Sequence, residues 1–452
     1  MAGLYDVMES GKQGMLVSQA SIQVTARNIA NINTLGYSRQ RLDVTPILPE
    51  ILAGFSLGAA ISGETLVRLR EDFTDRQFWN QNPLQWQYDT EESLLQQLEG
   101  ILPVDTETGL RSMLDEFWGS WNNLANDPES SVARTSVLNK AETLVSTFNR
   151  VHLELTSFQS SIGTEIDARL DEINLIAAEL AKINSVNPGD NLELEDQRVR
   201  LIDDLSRLAP IQVIRSGKSI SVTIGGISVV SSTNSIPLEA SFELDSQGIG
   251  VATIKVAGTD LEVKIATGEL GGLLNVYSKD IPDTLDNLNT LAATLATEVN
   301  ALHATGFDLN NNTGNNFFAS TSDGAATIAV GSAIQANSSL IASSDAANEP
   351  GNGNLAQAIS DLSDAATIGD QSIGEFQRTM VASLGTRIQE TRFLRSSQQS
   401  VVNHLALKRE SVAGVSIEEE MTRLVQLEQS FATASRLVRT ADELIRTLLQ
   451  MI

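Results

Sequence analysis

Apolar residues recur every seven positions at both ends of the chain. Toward the C-terminus Ile417, Leu424, Phe431, Val438, Ile445 and Ile452 keep that period, and Leu427, Ala434, Ala441 and Leu448 follow three places behind. Two interleaved sevenfold series place their side chains on one helical stripe, the seam of a coiled coil. Gly414 breaks the helix before it, Ser416 is placed to cap it, and Glu418, Glu419 and Glu420 sit where the helix dipole favours anions. At the N-terminus Met8, Met15, Ile22 and Ile29 repeat likewise, interleaved with Leu4, Gly11, Ser18, Thr25 and Ile32, a weaker seam containing small residues. Two such segments can pair with each other or with neighbouring molecules.

Residues 84–208 read as helical almost throughout, with Ile162, Ile166, Ile173, Ile176, Leu180 and Ile183 on one face and breaks at NDPES (126–130) and NPGD (187–190). Trp79, Trp86, Trp118 and Trp121 fall in or just before this block and are expected in its core. From Ile211 to Ala266 the period becomes two. SISVTI and ISVVSS flank Gly225 and Gly226, which supply the positive φ of a tight turn, and VATIKV and LEVKIA flanking AGTD read as a second hairpin. Helix returns over 270–305, a stretch rich in Asn, Ser and Gly with two short strands fills 306–355, and helix resumes from 372. The expected fold is mainly α with an inserted β domain. Residues 1–36 with 417–452 form a terminal helical coiled coil, 37–208 with 268–416 a helical rod with short strands, and 209–267 a small antiparallel β domain.

Composition supports an extended, helix-rich molecule: hydrophobic residues make up 41% of the chain but aromatics only 5%. The formal charge of -26 argues against a nucleic-acid partner, because phosphate neutralisation needs a basic face. Its distribution is uneven. Residues 1–50 sum to zero and 371–452 to +1, so by subtraction the middle carries -27. Ends without net charge suit a contact repeated between copies, where like charges repel. The absence of cysteine excludes disulfides and thiolate metal sites. No run approaches the roughly 18 apolar residues of a membrane span, and the N-terminus lacks a basic-then-apolar secretory signal, so no membrane insertion is expected and any export uses another route.

Candidate chemistry is mostly negative. His152, His303 and His404 are far apart and lack metal-ligand spacing. RSGKSI holds the tail of a phosphate loop, but Gln212 stands where the loop needs glycine, and a strand pattern follows where a helix is required. Asp308, Asn310 and Asn312 have the spacing of calcium ligands, yet Thr313 and Ala319 occupy the positions of the loop's glycine and bidentate glutamate. Neither a catalytic site, a cofactor nor a metal is expected, and the protein is read as a non-enzyme.

The stretch ARNIANINTLGYSRQ (26–40) interrupts a helical pattern with Asn28, Asn31, Asn33 and Gly36 before Tyr37. It resembles the signature of bacterial flagellar axial proteins, those of rod, hook and hook-filament junction. FWGSWNNLANDPESSVARTSVLNKAETLVSTFNRV (117–151), LEDQRVRLIDDLS (194–206), GELGGLLNVYSKDIPDTLDNLNTLAATLATEVNALHATGFDLN (268–310) and RESVAGVSIEEEMTRLVQLEQSFATASRLVRTADELIRTL (409–448) look like the junction members of that family. Two features depart from it: Leu35 replaces a common proline, and the β block is short, implying that an outer domain found in some members is absent.

The resemblance implies an extracellular structural protein of the flagellum, joining hook to filament, exported unfolded by the flagellar type III pathway and polymerised into the axial tube as a ring of identical subunits. Its implied partners are hook protein, a second junction protein and a cytoplasmic export chaperone. The motif turn at Asn28, Asn31, Asn33, Gly36 and Tyr37 is expected to end the inner helix and lead the chain outward. Leu424, Leu427, Phe431, Val438, Ile445 and Leu448 are expected to serve assembly and chaperone binding. Hook protein or the second junction protein is the alternative within the family, and a secreted adhesin the alternative outside it.

Overall fold

The computed structural model describes residues 2–34, 36–46, 51–52, 55–56, 61–102, 109–186, 191–244, 250–319 and 324–450. Leu35, Ile452 and the break at 187–190 lie outside them. In chain order the elements are α1 (Ala2–Ala30), β1 (Gln40–Pro46), β2 (Ile51–Leu52), β3 (Phe55–Ser56), β4 (Ile61–Arg68), α2 (Asp72–Ile101), α3 (Leu110–Asn126), α4 (Ser131–Ser185), α5 (Leu192–Leu208), β5 (Ile211–Ser216), β6 (Ser219–Ile224), β7 (Ile227–Ser231), β8 (Asn234–Ser235), β9 (Leu238–Leu244), β10 (Gly250–Val256), α6 (Gly268–Asn275), α7 (Ile281–His303), α8 (Ser332–Ala336), α9 (Asn354–Ser360), α10 (Ile373–Ala413) and α11 (Ile417–Gln450).

The two ends pair with each other. Asn28 of α1 bonds Glu420 of α11, and Gly11 faces Val438, so the helices run antiparallel. The long helices between them carry local start signals. Ser130 accepts from the Ala133 N–H at the head of α4, Asn191 caps α5, and Ser372 with Glu375 forms a reciprocal capping box on α10. All six predicted isoleucines and leucines of α4 are buried. Helix α2 starts at Asp72, ahead of the expected 84, and runs through Pro83. Trp79 and Pro83 are buried there, and Asn82 donates to Ser206 Oγ on α5 at 2.8 Å, so tertiary packing outweighs the lost helical hydrogen bond. A further break between α2 and α3 had no counterpart in the pattern.

Helix α10 lies antiparallel along α2, clasped by carboxylates almost wholly withdrawn from solvent. Glu91 takes Arg387, Glu92 takes Arg392 and Arg395, and Asp75 takes Arg70 and Arg409. The arginines hold the Glu92 carboxyl below its ordinary pKa even though burial opposes this. Helix α4 carries the β block. Asn184 donates to the carbonyls of Ile220 and Ser232, and Asn174 exchanges both amide bonds with the backbone of Leu238.

The block comprises a four-stranded antiparallel sheet, β5-β6-β7-β8, and a separate β9-β10 hairpin. Gly225 and Gly226 have φ of 56° and 84°, the tight turn between β6 and β7 that the sequence pattern called for. The second expected hairpin turns at AGTD but is much shorter than the pattern implied. VATIKV pairs along its whole length with β9, and LEVKIA returns only through a bridge at Lys255 and Glu262. On the edge of β10 opposite β9, AGTD turns the chain back, with Val256 N–H donating to the Leu261 carbonyl at 2.9 Å and Val263 N–H to that of Ile254 at 2.7 Å, and the pairing ends there. The expected strands in 306–355 are likewise isolated bridges, Phe307 with Ser344 and Phe318 with Val330.

That Asn-rich region is pinned to the rod through buried polar groups. His303 Nδ1 meets the Asn315 carbonyl at 2.7 Å while Nε2 accepts from Ala342 N–H at 2.9 Å, which sets its neutral tautomer, and burial pushes its pKa down to about 4. Arg134 donates to the carbonyls of Pro128 and Ile341 and to Ser343 Oγ. Phe117, Trp121, Phe317 and Phe318 pack tilted or edge-on against one another with centroids 4.9–6.3 Å apart, and the His303 ring meets Trp121 at 6.2 Å and Phe317 at 5.5 Å. Asp308 Oδ1 accepts from the Asn310 and Asn312 N–H groups, so it closes a turn.

Candidate functional site

Helix α1 stops at Ala30, and the motif residues divide into a local stop and a long-range joint. Asn31 makes the stop: its N–H and its side-chain amide both donate to the Arg27 carbonyl, at 3.0 and 2.9 Å, and Thr34 Oγ1 donates to its Oδ1. Gly36 follows with φ of 75°, in the left-handed region that glycine enters at little cost. Asn33 is exposed at the rim of a cleft of about 380 Å³ bounded by the turn, by α5 and by the elbow between α10 and α11.

Asn28 belongs to the joint and is only 2% exposed. Its Nδ2 donates to the Gln40 carbonyl at 2.9 Å and to Glu420 Oε2 at 3.1 Å. Its Oδ1 accepts from Tyr37 O–H at 2.9 Å and from Gln40 N–H at 3.0 Å. Every donor and acceptor of the amide is thus engaged. Glu420, 0% exposed, also takes Arg39 at 2.7 Å, and Arg39 extends to Glu419. Arg39 N–H donates to the Ala413 carbonyl at the end of α10. Burial first, and then the Asp196 carboxylate, push the Tyr37 phenol up to about 12, so it remains a donor at ordinary pH.

A second layer ties this joint to the rod. Asp196 on α5 accepts from Ser38 N–H and from Arg68 on β4, and Arg68 also reaches Glu195. Arg70 spans Ser38 Oγ and Asp75, and Arg409 joins Asp75 to Asp203, which accepts the Trp79 indole N–H at 2.6 Å. Four chain passages, 28–40, 68–75, 195–203 and 409–420, therefore meet in one polar cluster. Its groups bind one another, and together they tie the terminal pair to α2, α5 and the end of α10. Among the described residues no group of three or more His, Cys, Asp or Glu is placed to hold a metal ion, and no helix is long and apolar enough to cross a membrane.

Along the pair beyond the joint, the buried positions are mostly small ones, with Val24 beside them. Gly11, Ser18 and Thr25 of α1 and Ala441 of α11 are buried, and a Cβ on Gly14 would touch that of Ala434 at 3.5 Å. Leu424, Leu427, Phe431, Val438 and Ile445 are only half-buried, and Leu448 is 40% exposed. The seam brings these residues to one stripe, as the period required, but leaves much of their apolar surface open beside exposed Leu437 and Leu444. From the sequence Glu420 reads only as an anion at a helix start, and Arg39, Gln40 and Asp196 carry no separate site role. A signal for Glu420 existed: it stands seven residues before Leu427, on an otherwise apolar series, where a charge announces a buried partner.

Comparison with known proteins gives a consistent result. The model of the flagellar hook-associated protein FlgK helical domain matches residues 95–318, and that of the flagellar basal body rod FlgEFG protein C-terminal matches 410–451. Flagellar hook-associated protein 1 of Bacillus subtilis is 28% identical over 499 residues, spanning 98% of each chain. That of Escherichia coli is 25% identical over 327 residues, covering 69% of this chain and 60% of its own. The structure of the flagellar hook junction protein FlgK from Burkholderia pseudomallei superposes with a TM-score of 0.66 at 16% identity, over 75% of this chain and all of that one, and so shares its fold.

Proposed function

This chain belongs to the family of flagellar hook-associated protein 1, a structural and not an enzymatic family, and we propose that it joins a flagellar hook to its filament. The observation that carries this reading is the meeting of the two chain ends in an antiparallel pair, fixed by a buried polar joint to α5 and the end of α10. Ends free of net charge suit packing beside copies of themselves, while the acidic middle suits the solvent side of a tube. The half-open seam at Leu424, Leu427, Phe431, Val438, Ile445 and Leu448 supplies apolar surface for that packing.

In this reading the subunits form a ring between hook protein and a second junction protein. The chain reaches that place unfolded through the flagellar export pathway, and without cysteine no disulfide obstructs its passage. A cytoplasmic chaperone holds the C-terminal seam beforehand, occupying the face that α1 covers in the folded chain. The turn at Asn28, Asn31, Asn33, Gly36 and Tyr37 directs the chain from the inner layer outward.

Immunoelectron microscopy of flagella with an antibody to residues 211–256 tests the placement. Label confined to the hook-filament boundary is expected. Label along the hook would favour a hook protein, a reading that draws on the C-terminal match to rod proteins. Label away from flagella would favour a secreted adhesin and sink the proposal.

A further inference from the structure

The pairing of α1 with α11 raises a question of register. Both helices repeat every seven residues, so the apolar pattern alone accepts α11 displaced by one repeat. One such slip brings Ala441, seven beyond Ala434, opposite Gly14, and Leu427, seven beyond Glu420, opposite Asn28. A small residue still meets the glycine and leucine still meets the stripe. The opposite slip sets Leu427 against Gly14 and runs the break between α10 and α11 onto Asn28, so packing already disfavours it. Only the first slip competes with the observed arrangement.

What distinguishes the two is polar. In the slipped pair, leucine stands where the Glu420 carboxylate now takes Asn28 Nδ2 at 3.1 Å and Arg39 Nε at 2.7 Å. Asn28 keeps its bonds to Gln40 and Tyr37 but loses one donor partner, Arg39 loses both Glu419 and Glu420, and seven more residues of α11 must be taken up at the elbow beyond Ala413. A buried polar group in an apolar seam commonly trades stability for register in this way. We propose that Glu420 is the positioning residue that selects the register of the terminal pair, through Asn28 and Arg39, and so sets which apolar side chains the pair leaves open for assembly. The first half of this inference holds for the chain whatever its biological role; the second rests on the junction reading.

The chain has no cysteine, so introduced pairs report register without interference. The 3.5 Å Cβ separation at Gly14 and Ala434 lies within disulfide reach. In the full chain, Gly14→Cys/Ala434→Cys is expected to close on mild oxidation and Gly14→Cys/Ala441→Cys to stay open, read as intramolecular product on a non-reducing gel. Adding Glu420→Leu should make the second pair the major product at the expense of the first. Glu420→Gln in place of Glu420→Leu keeps one acceptor oxygen and turns an NH2 toward the other donor, so its product ratio should fall between those of the parent and Glu420→Leu. If Glu420→Leu leaves the first pair dominant, register is set by packing and the proposal fails. If it closes neither pair, the carboxylate holds the helices together without choosing their register, which also overturns it. None of these outcomes depends on where the subunit sits in the cell, so failure here is separate from failure of the junction reading.

Discussion

The stem of Arg200 on α5 lies against the open face of Gly36, so that a Cβ at that glycine would come within 2.5 Å of Arg200 Cγ and Cδ. A positive φ and a close neighbour thus exclude a side chain by independent means. Gly36→Val is expected to cost about 1–2 kcal/mol from the left-handed backbone alone, with a further steric part. Urea denaturation of Gly36→Val and of Gly36→Val/Arg200→Ala separates them: truncating Arg200 should recover the steric part and leave the backbone part. Cells carrying Gly36→Val should export the subunit and bear fewer filaments. Normal filament number would show that the turn tolerates another conformation.

Tyr37 and Asn28 make a graded pair of tests. Tyr37→Phe removes one bond to Asn28 Oδ1 and should cost about 1 kcal/mol. Asn28→Leu strips Gln40, Tyr37 and the buried Glu420 of partners together and should cost about 3 kcal/mol. The phenol also predicts alkaline behaviour. Its folded pKa, about 12, lies above the ordinary 10, so its stabilising share is present below pH 10 and disappears as pH rises from 10 to 12. Tyr37→Phe should flatten that part of the stability profile. An unchanged alkaline slope in the variant would dismiss the buried phenol as its source.

How far the sequence spoke depends on whether a signal was local. The seams, the isoleucine face of α4 and the Gly225-Gly226 turn are periodic or nearest-neighbour features, and each appears where the pattern put it. The long pairing of β10 is not read from its turn: AGTD does turn the chain back, but only to one bridge, while Leu238–Leu244 pairs along the other edge. Pro83 reads as a helix boundary until Trp79 and Asn82 find partners on α5. In the motif, asparagines that look alike in sequence part company in space. Asn28 is a buried crossroads, Asn31 a helix stop and Asn33 an exposed rim residue, because helical phase turns one inward and the end of α1 frees the others. The joint joins residues hundreds of positions apart, and no spacing rule reaches that far.

His303 gives the chain an acid weakness. It is neutral and 1% exposed, with a folded pKa of about 4 against about 6.5 unfolded. The unfolded chain therefore binds the extra proton between those values, and stability falls as pH drops from 6.5 to 4, by about 3 kcal/mol from this group. His303→Phe cannot titrate, so the stability difference between wild type and variant should shrink by that amount over the same range. Trp121, 6.2 Å away, reports the change by fluorescence during urea unfolding. A difference constant from pH 7.5 to 4 would exclude His303 as the titrating group.

Phe431 stands in the middle of the terminal seam, half-buried, between Leu424 and Val438 in one sevenfold series and Leu427 and Ala434 in the other. An unpaired carboxylate there costs about 2 kcal/mol, less than in a closed core because the face is partly open. Phe431→Asp should loosen α11 from α1 while leaving the rod and β block folded, since the aromatic cluster and the Asn184 and Asn174 contacts lie elsewhere. Amide exchange should accelerate across Ala2–Ala30 and Ile417–Gln450 and nowhere else. In cells, the variant should lose chaperone binding, and copies that escape should fail to complete the junction, leaving bare hooks and filament protein in the medium. Unchanged chaperone affinity together with attached filaments would remove this face from assembly and leave it a purely intramolecular contact.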